Sequence, residues 1–302
     1  MSENFDVDLV YTWVTGEDPE YIKVCQSYAD NPRDINPERY RDTYQLLKYS
    51  LRSAVKHLDW FRNIYIVTAR PQVPDWLDVS HPRIKLVHHD EIINAEYLPT
   101  FNYNVIESFQ HKIEGLSEYY ISMNDDFLFG NDTHLSDFLD AKNRMTVFNT
   151  VIGENFRFRI YEQKQNLFNM GKIEHNPVFY KKSYVEEIQE IHKEKFDETR
   201  RSKFRRDENV TMQKIFRQHM LSHHRKVSNP IWFFSLVKIH RFHKITNNLE
   251  YQQKKIESLR KIQPKFYCLN DDQRDDPNPE VVQLIKNFLA EQYPEKSAFE
   301  KA

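Results

Sequence analysis

Apolar residues fall in short, nearly unbroken runs through the first 130 positions, and longer three-and-four spacings separate them. DVDLVYTWV (6–14) is β-branched and aromatic and stops at the polar turn TGEDPE, the mark of a buried strand that ends in a loop. RYRDTYQLLKYSLRSAVKHL follows, with Tyr44, Leu47, Leu51, Val55 and Leu58 on one helical face. NIYIVTA and RIKLVHH read as two more strands, Asn102 to Ile113 as a helix, and YYISM as a fourth strand. The order strand, helix, strand, strand, helix, strand predicts an α/β fold, a Rossmann-like, largely parallel sheet flanked by helices. In such sheets ligands sit beyond the carboxyl ends of the strands.

After Gly130 the pattern becomes mostly helical. MTVFNTVI and PVFYK are weaker strand candidates, and YVEEIQEIHKEKF and NVTMQKIFRQHML read as helices. The last helix has Asn278 at its N-cap, Pro279 at N1 and Glu280 in the first turn, leading into VVQLIKNFLAEQY. The 302 residues are expected to form one domain, with 1–135 as an α/β core and 136–302 as a helix-rich part that completes it.

Composition narrows the class. Hydrophobic residues are 39% and charged residues 29%, which suits a globular chain, and a net charge of −2 gives no global attraction to nucleic acid. Only five glycines are present, and none forms a phosphate-cradling loop of the dinucleotide or Walker type. Cys25 and Cys268 lack metal-ligand spacing, and the N-terminus has neither a basic leader nor an apolar run of spanning length. A reducing, cytoplasmic setting is expected, with at most peripheral contact to the inner membrane face.

The stretch YYISMNDDFLFG places Asn124, Asp125 and Asp126 where a buried strand should end. Adjacent aspartates on a strand point to opposite faces, so one would be buried at a large cost unless the strand stops there. Such a tip could hold a hard cation or a ligand hydroxyl, or it could be a plain Asx turn. KFYCLNDD repeats the arrangement at Asn270, Asp271 and Asp272. YTWVTGEDP, from Tyr11, Thr12 and Trp13 to Gly16 and Asp18, offers an aromatic face and a polar turn to a nucleotide. His175 stands two residues before Pro177, a stiff setting for a proton-transfer imidazole. Arg205 and Arg206 precede a helix and have the fork geometry for a diphosphate.

Taken together these stretches resemble the Stealth family of hexose-1-phosphate transferases, which includes bacterial capsule and exopolysaccharide enzymes and the animal lysosomal-enzyme GlcNAc-1-phosphotransferase. The resemblance rests on DLVYTWVTGEDP, on RYRDTYQLLKYSLRS through GLSEYYISMNDDFLFG, on HNPVFYKKSYVEEI with FRRDENVTMQKIF, and on KFYCLNDD, all in family order. Thr15 stands where Asn or Asp is usual, and Gln45 where Glu is common. The resemblance implies transfer of a sugar 1-phosphate from a nucleotide sugar, commonly UDP-GlcNAc, to a hydroxyl of a glycan acceptor that is lipid-linked in some settings, releasing UMP. The expected roles are catalysis for Asp125, His175 and Arg206, and a Mg²⁺ or Mn²⁺ site at Asp126 and Asp271. Substrate contacts are expected from Tyr11, Thr12, Trp13, Gly16, Asp18, Arg52, Asn124 and Asn270. The rival reading is a GT-A-like, metal-dependent glycosyltransferase that releases UDP.

Overall fold

The computed structural model describes residues 5–150, 175–231 and 236–301. Strands β1 (Val7–Thr12), β2 (Ile64–Thr68), β3 (Ile84–His88) and β4 (Tyr119–Asn124) pair in parallel in the order β3-β2-β1-β4, and β7 (Val178–Lys181) closes the β4 edge antiparallel. The α/β class and the largely parallel sheet are as expected. β1 is buried on both faces, which is why VDLVYT reads as a continuous run rather than an alternation.

The connections carry helices. α1 (Pro19–Tyr28) is capped by Asp18, whose side chain accepts from Glu20 N and Tyr21 N at 3.0 and 3.2 Å. α2 (Leu46–His57) links β1 to β2 and buries Leu47, Leu51 and Ala54. It starts later than its pattern predicts: Gln45 has a left-handed φ of 50° and the Asp42 carboxylate takes the Leu46 N–H. Val55, expected on the apolar face, is exposed. α3 (Tyr103–Phe109) links β3 to β4 and is capped by Asn102.

The second half builds on this sheet. β5 (Phe127–Phe129) leaves the first sheet immediately after the Asp pair and joins β10 (Phe266–Asp271) antiparallel, with β9 (His240–Ile245) parallel on the far side of β10. β6 (Met145–Thr150) pairs with β8 (Ser228–Ile231). YVEEIQEIHKEKF is divided at His192, where ψ reaches 28°, so α4 (Lys182–Ile191) and α5 (Lys193–Arg201) are separate helices. α6 (Met212–Ser222), α7 (Leu249–Ile262) and α8 (Pro279–Gln292) follow. A second core of Ile256, Leu259, Val281, Ile285 and Leu289 packs α7 and α8 against β10. Both cysteines are buried and free. No helix among the described residues is long and apolar enough to cross a membrane.

Candidate active site

After β1 the chain steps outward to β2 and β3, then returns to lay β4 on the other side of β1. The carboxyl ends of β1 and β4 therefore form the switch point where a doubly wound sheet opens a crevice. Thr12 and Asn124 are register partners there, with Thr12 Oγ1 3.5 Å from Asn124 Oδ1.

Asp125 and Asp126 form the turn from β4 into β5, so they lie where the first sheet hands over to the second. Leu269 of β10 donates its N–H to the Asp126 carbonyl at 2.9 Å, locking the two sheets together at this turn. Asp126 Oδ2 accepts from Cys268 Sγ at 3.1 Å and from Asn270 Nδ2 at 3.3 Å. Its other oxygen, Oδ1, is buried with no hydrogen-bond partner among the described residues. Burial drives the Asp125 carboxyl well above its ordinary pKa, and the charges of Asp126 and Asp42 add to this. Burial also raises Asp126, against the opposing pull of Cys268, the nearby His175 ring and Asn270.

An orphaned carboxylate oxygen next to a second acid that resists ionisation is a donor set in want of positive charge. Two carboxylates and an amide carbonyl are hard oxygen ligands, so the residues fit Mg²⁺ or Mn²⁺. Asp125, Asp126 and Asn270 would hold it.

His175 enters from the segment before β7. Its backbone is left-handed, φ 55°, and its carbonyl accepts from His240 Nε2 at 2.8 Å. Asn176, fully buried, anchors the next position through Gln213 Nε2 at 2.8 Å, and the His175 ring packs on Phe242 with centroids 4.6 Å apart. A histidine held in that backbone region costs about 1–2 kcal/mol, so the fold fixes the imidazole in place against a real preference.

The structure thus brings Thr12, Asn124, Asp125, Asp126, His175 and Asn270 together, while Trp13, expected as an open aromatic face, is 6% exposed and packed in the main core beside Asp42. It gives the remaining sequence-predicted residues other surroundings. Tyr11 alternates to the opposite face from Thr12 and is wholly buried, its hydroxyl 3.2 Å from Ser50 Oγ, so it is a core residue and not a nucleotide platform. Gly16 is needed because an added Cβ would lie 2.9 Å from Tyr40 Cβ, and Asp18 is committed as the α1 cap. Arg52 forms a two-pronged pair with Glu300 at 2.8 and 2.7 Å and donates to the Tyr293 carbonyl, which places it at the C-terminal segment instead of the crevice.

Asp271 is turned away from Asp126 by strand alternation and is gripped by Arg41 Nε and Nη2 at 2.7 and 2.8 Å, so it does not share a cation with Asp126. Arg206 meets the Asp34 carboxylate at 2.7 and 3.1 Å. Asp34 in turn supports Tyr40, against which the Gly16 turn packs. Arg206 therefore belongs to the rim that carries residues 15–18, with no bond to Asp125 or Asp126.

Three residues went unread in the sequence. Asp42 is raised to about 6, chiefly by burial. Glu107, on α3, is raised to about 7 by burial against a 2.9 Å hydrogen bond from the Tyr180 hydroxyl. Tyr103, one helical turn earlier, is kept protonated by burial and by the charges of Glu107 and Asp126. The signal was a phenol and an acid at i and i+4 in the short helical stretch NYNVIES.

Comparison with known proteins follows the same stretches. Three family models match: Stealth protein CR2, conserved region 2, over residues 39–147; CR3, conserved region 3, over 174–222; and CR4, conserved region 4, over 257–302. An exopolysaccharide phosphotransferase of Streptomyces coelicolor is 47% identical over 133 residues, 43% of this chain and 22% of that protein. The capsular polysaccharide phosphotransferase CpsJ of Streptococcus thermophilus is 43% identical over 137 residues, 44% of this chain and 57% of that protein. The capsular polysaccharide phosphotransferase WcwK of Streptococcus pneumoniae is 28% identical over 346 residues, covering 100% of both chains. The chain thus spans less than two thirds of the first two relatives and the full length of the third.

Proposed function

This chain belongs to the Stealth family, and from that premise we propose that it transfers a sugar 1-phosphate from a nucleotide sugar, a UDP-hexose or UDP-N-acetylhexosamine, to a hydroxyl of a glycan acceptor in capsular or exopolysaccharide synthesis. The reading is supported by the polysaccharide phosphotransferase names of its relatives. The observation that carries it is the unpartnered Asp126 oxygen beside Asp125 at the sheet's switch point, faced by the rigid His175.

In this scheme the acceptor oxygen attacks the sugar-linked phosphorus, that O–P bond forms, and the bond from the same phosphorus to the bridging oxygen breaks in line. The acceptor's proton passes to His175, and UMP leaves with the bridging oxygen. A Mg²⁺ or Mn²⁺ ion at Asp125, Asp126 and Asn270 supplies neutralisation of phosphoryl charge when bound. Around it the chain's own residues position and select. Thr12 and Asn124 line the crevice, and Arg206, steadied by Asp34, reaches the diphosphate from the rim. The acceptor is drawn from soluble or lipid-linked glycans, and nucleic acid has no part.

The test is product identity. Incubated with a panel of nucleotide sugars and glycan acceptors, the protein should yield UMP and a phosphodiester of matching mass. UDP and a glycosidic bond would overturn the reading in favour of ordinary glycosyl transfer.

A further inference from the structure

Away from the crevice, at the opposite end of α6 from the residue that anchors Asn176, three side chains converge. Glu187 projects from α4, His219 from the last turns of α6, and His224 from just beyond it. His219 Nε2 lies 3.4 Å from Glu187 Oε1, and His224 Nε2 lies 2.9 Å from Glu187 Oε2. The three ligand atoms are all within 4.8 Å of one another. His219 is 3% exposed, yet among the described residues neither of its ring nitrogens has a hydrogen-bond partner. A buried imidazole with both nitrogens unsatisfied is costly, and the fold supplies a neighbouring carboxylate and second imidazole in place of a hydrogen-bond partner.

We infer that Glu187, His219 and His224 form a binding site for a zinc-class divalent cation, separate from the crevice. Two imidazoles and one carboxylate are the donors Zn²⁺ favours, whereas Mg²⁺ and Ca²⁺ prefer oxygen throughout. A tetrahedral set with bonds of about 2.0–2.1 Å has its ligand atoms about 3.3 Å apart. Each imidazole already stands near that distance from one of the two Glu187 oxygens, 3.4 and 2.9 Å, and the wider separations, up to 4.8 Å, close by side-chain rotation. The surroundings limit that rotation to small angles. Tyr184 stacks on His224 with centroids 4.1 Å apart, and His223 stacks on His219 at 4.6 Å. Lys181 Nζ lies over the same Tyr184 ring, 4.6 Å from its centre. Glu187 is 41% exposed, which leaves an entry path and a fourth position for water.

The cation would pin α4 to α6. Gln213, which fixes Asn176 beside His175, is six residues earlier on α6, about 9 Å along the axis. The site is therefore a positioning device for the helix that supports His175, not part of the reacting centre.

Titration of the chelator-treated, refiltered full chain with Zn²⁺ should show one equivalent bound per chain, and Co²⁺ should give the visible d–d absorption of a low-symmetry nitrogen–oxygen site. Glu187→Gln, a half-exposed position that leaves the fold intact, and His224→Gln should each weaken Zn²⁺ at least ten-fold, with circular dichroism unchanged. His219→Gln should do the same; its buried position makes the other two variants the deciding ones. Absence of stoichiometric binding by the folded parent chain overturns the proposal, as does binding that Glu187→Gln and His224→Gln leave untouched.

Discussion

A carboxyl enclosed as Glu107 is, 1% exposed with the Tyr180 and Tyr103 hydroxyls beside it, holds its proton to about pH 7 instead of the ordinary 4.5. The folded chain then binds a proton that the unfolded chain releases between those two values. Its contribution to stability is present below pH 4.5 and is lost as pH rises towards 7, by about 3 kcal/mol in total. Urea unfolding followed from pH 4.5 to 7.5 should show Glu107→Gln gaining on the parent by roughly that amount; equal slopes in the two proteins would contradict the burial argument. His175 permits a cleaner catalytic test than alanine would. Asparagine tolerates the left-handed backbone at φ 55° but offers no base. His175→Asn should keep its thermal midpoint while kcat falls by about 10²–10⁴, and a kcat within a few-fold of the parent would place proton transfer elsewhere.

Among the elements, α2 is tied at its middle to the end of the chain. Arg52 holds Glu300, and the same carboxylate accepts from Ser297 N at 2.8 Å, so one pair closes the segment 297–300 onto the helix. Its partners are 10% and 3% exposed, and breaking a buried pair on one side strands a charge. Arg52→Ala should cost about 3–5 kcal/mol in denaturant unfolding and leave KM for the nucleotide sugar unchanged. A raised KM at constant stability would instead return Arg52 to the donor site. The NDD turn shows a related division of labour between elements. β4 delivers the two acids, β10 supplies Cys268 and Asn270 to hold one oxygen of Asp126, and the remaining oxygen has no donor among the described residues.

For the whole molecule the consequence is that the crevice belongs to two sheets at once. A ligand that fills it should stabilise both: UDP with Mg²⁺ at 100 times its Kd should add about 2.7 kcal/mol to unfolding. Hydrogen exchange should slow in β1 and β4 and in β9 and β10 together; slowing confined to one sheet would place the nucleotide elsewhere. The strands and the NDD turn were legible in the sequence because each is a local matter: a run of buried β-formers must end where adjacent charges begin. The pairing of β1 with β4 set the switch point, and that follows from strand order, which no local pattern carries. Partner choice was equally hidden. Asp271 has the same sequence setting as Asp125, yet the fold hands it to Arg41, and Arg206 and Arg52 find carboxylates 172 and 248 residues away. The linear chain thus decided which residue types stand at strand ends and on which helical faces, since propensity and periodicity act over a few residues. Tertiary structure alone decided which of those charges are neutralised by one another and which are left facing the crevice, since charges interact through space without regard to their separation along the chain.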